Sequence, residues 1–246
     1  ELDEGLVGSE MCIRDRRSGN FDAAIEVLEQ LARTHTDLPI VHSTLGDTLR
    51  REQMFASAVE AYDRAIALYG GVTRSPWFIL YARGISHERL GHWPESEADL
   101  RAALKLNPDQ PQVMNYLAYS LVEKKVNLQE ALSLIKRAVA LQPQSGYIVD
   151  SLGWVLFRLG QYTKAVAHME RATELMPVDP IVNDHLGDVY WSVGRRLEAE
   201  FQWNRALSFK PEDKEATRIR RKLEVGLDQV LSEEGAPPLE LVQDDG

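Results

Sequence analysis

Residues 146–179, GYIVDSLGWVLFRLGQYTKAVAHMERATELMPVD, and residues 180–213 carry the same landmarks in the same register. The first copy has Leu152-Gly153, Gly160, Ala165, Met169, Ala172 and Pro177; the second has Leu186-Gly187, Gly194, Ala199, Trp203, Ala206 and Pro211. Self-similarity at a fixed period constrains a chain more than local propensity does. Each copy must be one structural unit that stacks on its neighbours. Three further copies keep the register. Residues 77–110 supply Gly84, Gly91, Ser96, Leu100, Ala103 and Pro108. Residues 111–145 supply Leu117-Ala118, Ala131, Ala138 and Pro143, with one extra residue in the turn. Residues 39–76 supply Leu45-Gly46, Ala58, Tyr62 and Ala65, then insert YGGVTRSP. Residues 19–38 read as the second half of another copy, so the array is expected over 17–213.

Within a copy the apolar spacing is helical. Val149, Leu152 and Leu156 fall three and four residues apart and form one stripe. Gly153 beside Leu152, with Ala165 and Ala172 in the second half, lets two helices approach closely. Gly160 suits the turn between them, and Pro177 stops the second helix because it cannot donate the next backbone bond. A single hairpin cannot bury its stripe, whereas stacked hairpins can. No stretch reads as a strand. Residues 214–231, KEATRIRRKLEVGLDQVL, place Ile219, Leu223, Leu227, Val230 and Leu231 at helical spacing, which predicts one C-terminal capping helix. Arg218, Arg220, Arg221 and Lys222 read as its solvated face. Residues 232–246 hold two prolines, five acids and no base, the composition of a disordered acidic tail.

These landmarks resemble the tetratricopeptide repeat (TPR) family over residues 17–213. The resemblance implies an all-α fold, a right-handed α–α superhelical solenoid of TPR helix hairpins. Departures are local: Arg83 and His87 replace apolar residues of one first helix, Gln53 and Lys125 stand where Gly is common, and Leu31 replaces a small residue. The longer phrase DSLGWVLFRLGQY…PIVNDHLGDVYW is similar to TPR proteins of Gram-negative bacteria, often exported ones. It favours a bacterial protein in a periplasmic or envelope-associated setting over a cytoplasmic one.

The stretch LVGSEMCIRDR, Leu6 to Arg16, stands outside the repeat and holds Cys12, the only cysteine. From Leu6 to Asp15 it resembles, in one reading frame, the translation of an adaptor used in transposase-based DNA sequencing. Residues 1–16 are therefore expected to be a sequencing artefact, disordered or an adventitious helix. Natural sequence is then expected to begin near Arg17, with the true N-terminus missing and no thiol chemistry at Cys12.

The net charge is -10 at pH 7. It resides mostly at the ends, because residues 17–231 hold 28 acids against 26 bases. A body so nearly neutral has no global footprint for nucleic acid or anionic membrane. No apolar run approaches the roughly 18 residues that span a bilayer, so no direct membrane insertion is expected.

Function is expected on the concave side, which the resemblance assigns to the first helices. Positions 2, 5, 9 and 12 of each copy lie on one stripe. They include Tyr81 and Ile85, then Asn115 and Tyr119, then Tyr147, Asp150, Trp154 and Phe157, and last Asp184, Asp188 and Trp191. Solvent-facing helix positions are normally charged, yet aromatics recur here. Rigid rings bury large areas at small entropic cost, which points to a groove for a protein or peptide partner. The three aspartates among them suit a basic or amide-rich ligand. The alternative is that the rings pack against neighbouring first helices.

Some family members clamp a C-terminal carboxylate with Lys and Asn at positions 5 and 9. This chain offers only Asn115 and no Lys there, so a carboxylate clamp is not expected and anionic ends should be repelled near the aspartates. His87 and His92 flank a turn, and Asp184-His185-x-x-Asp188 lacks metal-motif spacing. No phosphate loop or nucleophile elbow occurs. The expectation is a non-catalytic interaction scaffold without cofactor or metal. A second reading makes the array the regulatory or substrate-recruiting arm of an enzyme whose catalytic domain lies upstream.

Overall fold

In the computed structural model, residues 21–236 and 239 are described. The adaptor-like segment and most of the acidic tail lie outside them. The described residues are all-helical, without a strand. Helix α1 covers residues 21–34. It is followed by α2 (Pro39–Arg51), α3 (Phe55–Tyr69), α4 (Trp77–Arg89), α5 (Trp93–Leu106), α6 (Pro111–Glu123) and α7 (Leu128–Leu141). Then come α8 (Gly146–Arg158), α9 (Tyr162–Leu175), α10 (Pro180–Ser192), α11 (Arg196–Ser208), α12 (Asp213–Val225) and α13 (Leu227–Glu233). Proline sets several starts: Pro39, Pro111 and Pro180 occupy the first turns of α2, α6 and α10, where a missing N–H costs nothing. Asp179 caps α10, accepting from the Ile181 and Val182 amides at 2.9 and 3.0 Å. The insert after α3 forms a short 3-10 turn, Val72–Arg74.

The chain divides between Pro108 and Asp109 into two compact units. In the first, α2 pairs with α3 and α4 with α5, and α4 packs on α2 and α3. Its core includes Tyr62, Leu80 and Leu100. Arg83, out of pattern for an apolar position, holds the buried Asp99 through two bonds of 2.6 and 2.7 Å and also reaches Asp63. Burial pushes the Arg83 guanidinium down, but its carboxylate partners outweigh this and raise it, so it stays charged.

In the second unit α6–α7, α8–α9 and α10–α11 are hairpins. First helices neighbour one another, α6 on α8 and α8 on α10, while α7 and α9 pack on the next first helix. The close approach predicted from small residues is real: a Cβ on Gly187 would collide with the Trp203 indole. The turns within the hairpins use a left-handed residue. Gln53 and Lys125 adopt φ of 60° and 56° where the other copies place Gly. Each therefore carries a steric cost that glycine avoids.

Residues 214–231 do not form one helix. Gly226, at φ 83°, separates α12 from the seven-residue α13. Its Cα lies so close to the Trp191 ring that a Cβ would overlap it. Two constraints thus meet at one residue, and they turn the chain back toward α10.

Candidate functional site

The second unit brings together most of the residues expected to line a groove. Asn115 and Tyr119 are half-buried on α6. On α8, Tyr147 is 45% exposed, while Asp150, Trp154 and Phe157 are buried. On α10, Asp184 and Asp188 are buried, and Trp191 is half-buried at its end. Tyr81 and Ile85 belong to α4 in the first unit, where both are half-buried and the Tyr81 ring lies 6.5 Å from Trp77.

The rings of α8 do not form an open sheet of aromatic surface. Trp154 is 8% exposed and Phe157 6%. Trp154 is stacked between His185 at 4.1 Å and Phe157 at 4.9 Å, both at 15° between planes. Its indole N–H donates to Glu123 at 2.9 Å. Phe157 continues the row to Tyr162 at 5.4 Å. Helical spacing had put these residues on one stripe, but the ring of His185, from the next first helix, covers it. Tyr119 lies nearby, and burial, followed by the charges of Glu123 and Asp150, pushes its phenol up to about 12.

The aspartates are likewise already engaged. Asp150 accepts from His185 Nδ1, 3.1 Å from both oxygens. Burial pushes the His185 imidazole down, but the Asp150 charge and hydrogen bond, with Asp184 and Asp188 behind them, outweigh it and raise the pKa. Lys222 of α12, taken from sequence as part of a solvated face, is 1% exposed. Its ammonium donates to both oxygens of Asp184 at 2.8 Å and to Asp188 at 2.6 Å. Asp188 also accepts from Trp203 Nε1 at 2.9 Å and lies 3.6 Å from Arg218. Burial, largest, and the Asp188 charge raise the Asp184 carboxyl above its usual value despite Lys222. The three aspartates are therefore not free carboxylates awaiting a basic ligand. Sequence reasoning missed this because Lys222 lies 34 and 38 residues from its partners. Two aspartates one helical turn apart, with a lysine two helices further on, were the available signal.

What stays open is a cleft of about 400 Å³ in the second unit. Trp154, Phe157 and Tyr162 form one wall, with Val122 and Leu128 beside them. Lys125, Arg158 and Arg218 add cationic groups. The lining also includes Leu231, Glu234 and Leu239 of the chain's C-terminal segment. Lys125, Arg158, Tyr162 and the C-terminal residues were not among the expected site residues. Among the described residues no group of three or more His, Cys, Asp or Glu is placed to hold a metal ion. No described helix is long and apolar enough to cross a membrane.

A tetratricopeptide-repeat family profile matches residues 14–72, 81–146 and 151–214, which is most of the chain. The chain belongs to the tetratricopeptide repeat family. It is 32% identical over 154 residues to a TPR repeat-containing protein of Pseudomonas aeruginosa, covering 62% of this chain and 25% of that protein. It is 27% identical over 117 residues to the BBSome complex member BBS4 of Bos taurus, covering 46% of this chain and 21% of that one. The chain thus spans about a quarter or less of these relatives' length. A tetratricopeptide repeat protein from Parabacteroides merdae superposes with a TM-score of 0.70 at 16% identity, over 92% of this chain and 85% of that one. A thermophilic TPR protein from Thermus thermophilus gives 0.63 at 22% identity, over 76% and 100%. These structural likenesses establish the TPR solenoid fold. TPR repeats in general serve as protein–protein interaction scaffolds, and the family is typically non-catalytic.

Proposed function

We propose that this chain is a non-catalytic scaffold that binds a peptide or helix of a partner protein through the groove side of α6, α8 and α10. The observation that carries the reading is the cleft of about 400 Å³ bounded by Trp154, Phe157 and Tyr162, with cationic side chains beside them. A concave apolar wall with a few placed charges suits a partner's side chains. The stack of His185 on Trp154 fixes the wall before a ligand arrives, so little ordering entropy opposes binding. Tyr147, exposed at the start of α8, and half-buried Tyr119 on α6 extend the same face.

The test is isolation of the partner complex with two groove variants and one control. Lys125→Glu and Phe157→Ala are expected to reduce partner retention at least about tenfold, equivalent to 1.4 kcal/mol. Leu197→Ser with Phe201→Ser, which alters the 80% and 64% exposed apolar side chains of α11, is expected to leave retention unchanged. Circular dichroism of each variant checks that the helices persist. Retention insensitive to the groove variants and lost in the α11 variant contradicts the reading.

A further inference from the structure

We infer that the cleft is a site for an acidic, leucine-anchored segment, and that the chain's own Leu231, Glu234 and Leu239 occupy it as a tethered, displaceable stand-in. This assignment rests on the groove reading above and names the chemistry of its ligand. The first observation is the occupant itself. Leu231, Glu234 and Leu239 line the same cleft as Trp154 and Phe157. Two aliphatic side chains and a carboxylate therefore already share the cleft with the aromatic rings and the cationic groups. The segment from 231 to 246, LSEEGAPPLELVQDDG, carries five acids and no base. The cleft is also lined by Lys125, by Arg218 and by Arg158, which pairs with Glu123 at 3.1 Å, while its Asp188 accepts from Lys222 at 2.6 Å. Charge complementarity thus favours an acidic occupant.

The second observation is how unevenly the segment is held. The first turn of α13 is fixed: Leu227 and Val230 are buried, and Trp191 donates to Asp228 at 2.7 Å. Beyond Val230, the residues from Ser232 to Gly235 are exposed and Leu231 is only half-buried. The polar ties of this part are the pairs Glu233–Arg221 and Glu234–Arg218, each at 2.7 Å and each between partly exposed side chains. Both are two-pronged, each guanidinium reaching both oxygens of its carboxylate, yet both lie in partly exposed surroundings where water and salt compete for them. A segment tethered at α13 competes at an effective concentration in the millimolar range, so even a weak contact keeps it in place. The space of about 400 Å³ that remains shows that it fills the cleft incompletely. A partner with the same chemistry and better-filling anchors displaces it, taking over the pairs with Arg218 and Arg221 of α12 and leaving Lys222 on Asp184 and Asp188.

The experiment uses the full chain and a fluorescein-labelled peptide of sequence LSEEGAPPLELVQDDG. Two loosened variants are compared with the unaltered chain: Leu231→Asp with Leu239→Asp, and Glu234→Arg, which leaves the apolar anchors intact. Fluorescence anisotropy is expected to show the peptide binding both loosened variants about tenfold or more tighter than the unaltered chain, as release of a tethered competitor requires. A scrambled peptide should not bind, and adding Lys125→Glu to the loosened chain should weaken binding. Equal affinity for loosened and unaltered chains, or binding to none, overturns the inference. If the peptide fails while partner retention still depends on Lys125 and Phe157, the ligand chemistry is wrong and the groove reading survives. If retention ignores both residues, the groove reading itself has failed.

Discussion

Replacing Lys222 by methionine is expected to destabilise the C-terminal end by about 3–5 kcal/mol, the range for breaking a buried ion pair from one side. The magnitude follows from what each carboxylate loses. Asp188 keeps the Trp203 indole at 2.9 Å and Arg218 at 3.6 Å. Asp184, 7% exposed, loses the ammonium that bonds both of its oxygens at 2.8 Å. Methionine retains the apolar stem, so the cost is electrostatic rather than a cavity. Urea denaturation followed by tryptophan fluorescence reads it directly, since Trp191 and Trp203 lie 5.3 Å apart beside the cluster. Two internal checks sharpen the test. Adding Asp184→Leu to Lys222→Met should restore most of the loss, because a well-packed apolar replacement of a buried pair is often neutral. Lowering the pH should also help the single variant. Asp184 has a raised folded pKa, so its contribution is most favourable below the ordinary carboxylate range and is lost as pH rises through the raised value. A loss below about 1 kcal/mol, the range of exposed pairs, refutes the description of a buried ammonium holding two carboxylates.

Three further outcomes are expected. His185 has a raised pKa, so its contribution is fully present below its unfolded value near 6.5 and lost as pH rises through the folded value; Asp150→Asn should lower the imidazole pKa in an NMR titration, leaving burial to dominate. Gln53→Gly, at φ 60°, should stabilise the first unit by about 0.5–1 kcal/mol in thermal or urea unfolding, because glycine removes the left-handed strain. Gly187→Ala should destabilise by about 1–3 kcal/mol, because its Cβ meets the buried Trp203 ring; an unchanged midpoint would show that the helices can separate freely there.

The helical hairpins were legible because their determinants are local. Gly187 facing Trp203 and Gly160 in a turn each act within one copy, and Pro180 with Asp179 acts between adjacent residues, so the spacing in the sequence reports the geometry. The site was legible only in part. Periodicity placed Asp150 with Trp154 and Asp184 with Asp188 on one stripe of their helices, but it carries no information about what crosses over them. His185 stacks on Trp154 from the next first helix, and Lys222 reaches Asp184 from two helices further on. The basic run Arg218–Lys222 looked like a solvated face because charged residues usually are one, yet burial of Lys222 is set by partners that no local pattern names. Gly226 was visible in the sequence, but one glycine within a helical pattern is a weak stop signal. What gives it force is the Trp191 ring, which leaves no room for a Cβ.

The central claim is that partners engage the groove side of the second unit. Hydrogen–deuterium exchange on the full chain, free and in its isolated partner complex, tests it most directly. The account predicts slowed exchange in α6, α8 and α10 on binding, with faster exchange at residues 231–236 as the tethered segment leaves. Protection confined to α7, α9 and α11, with the C-terminal segment unchanged, would contradict it.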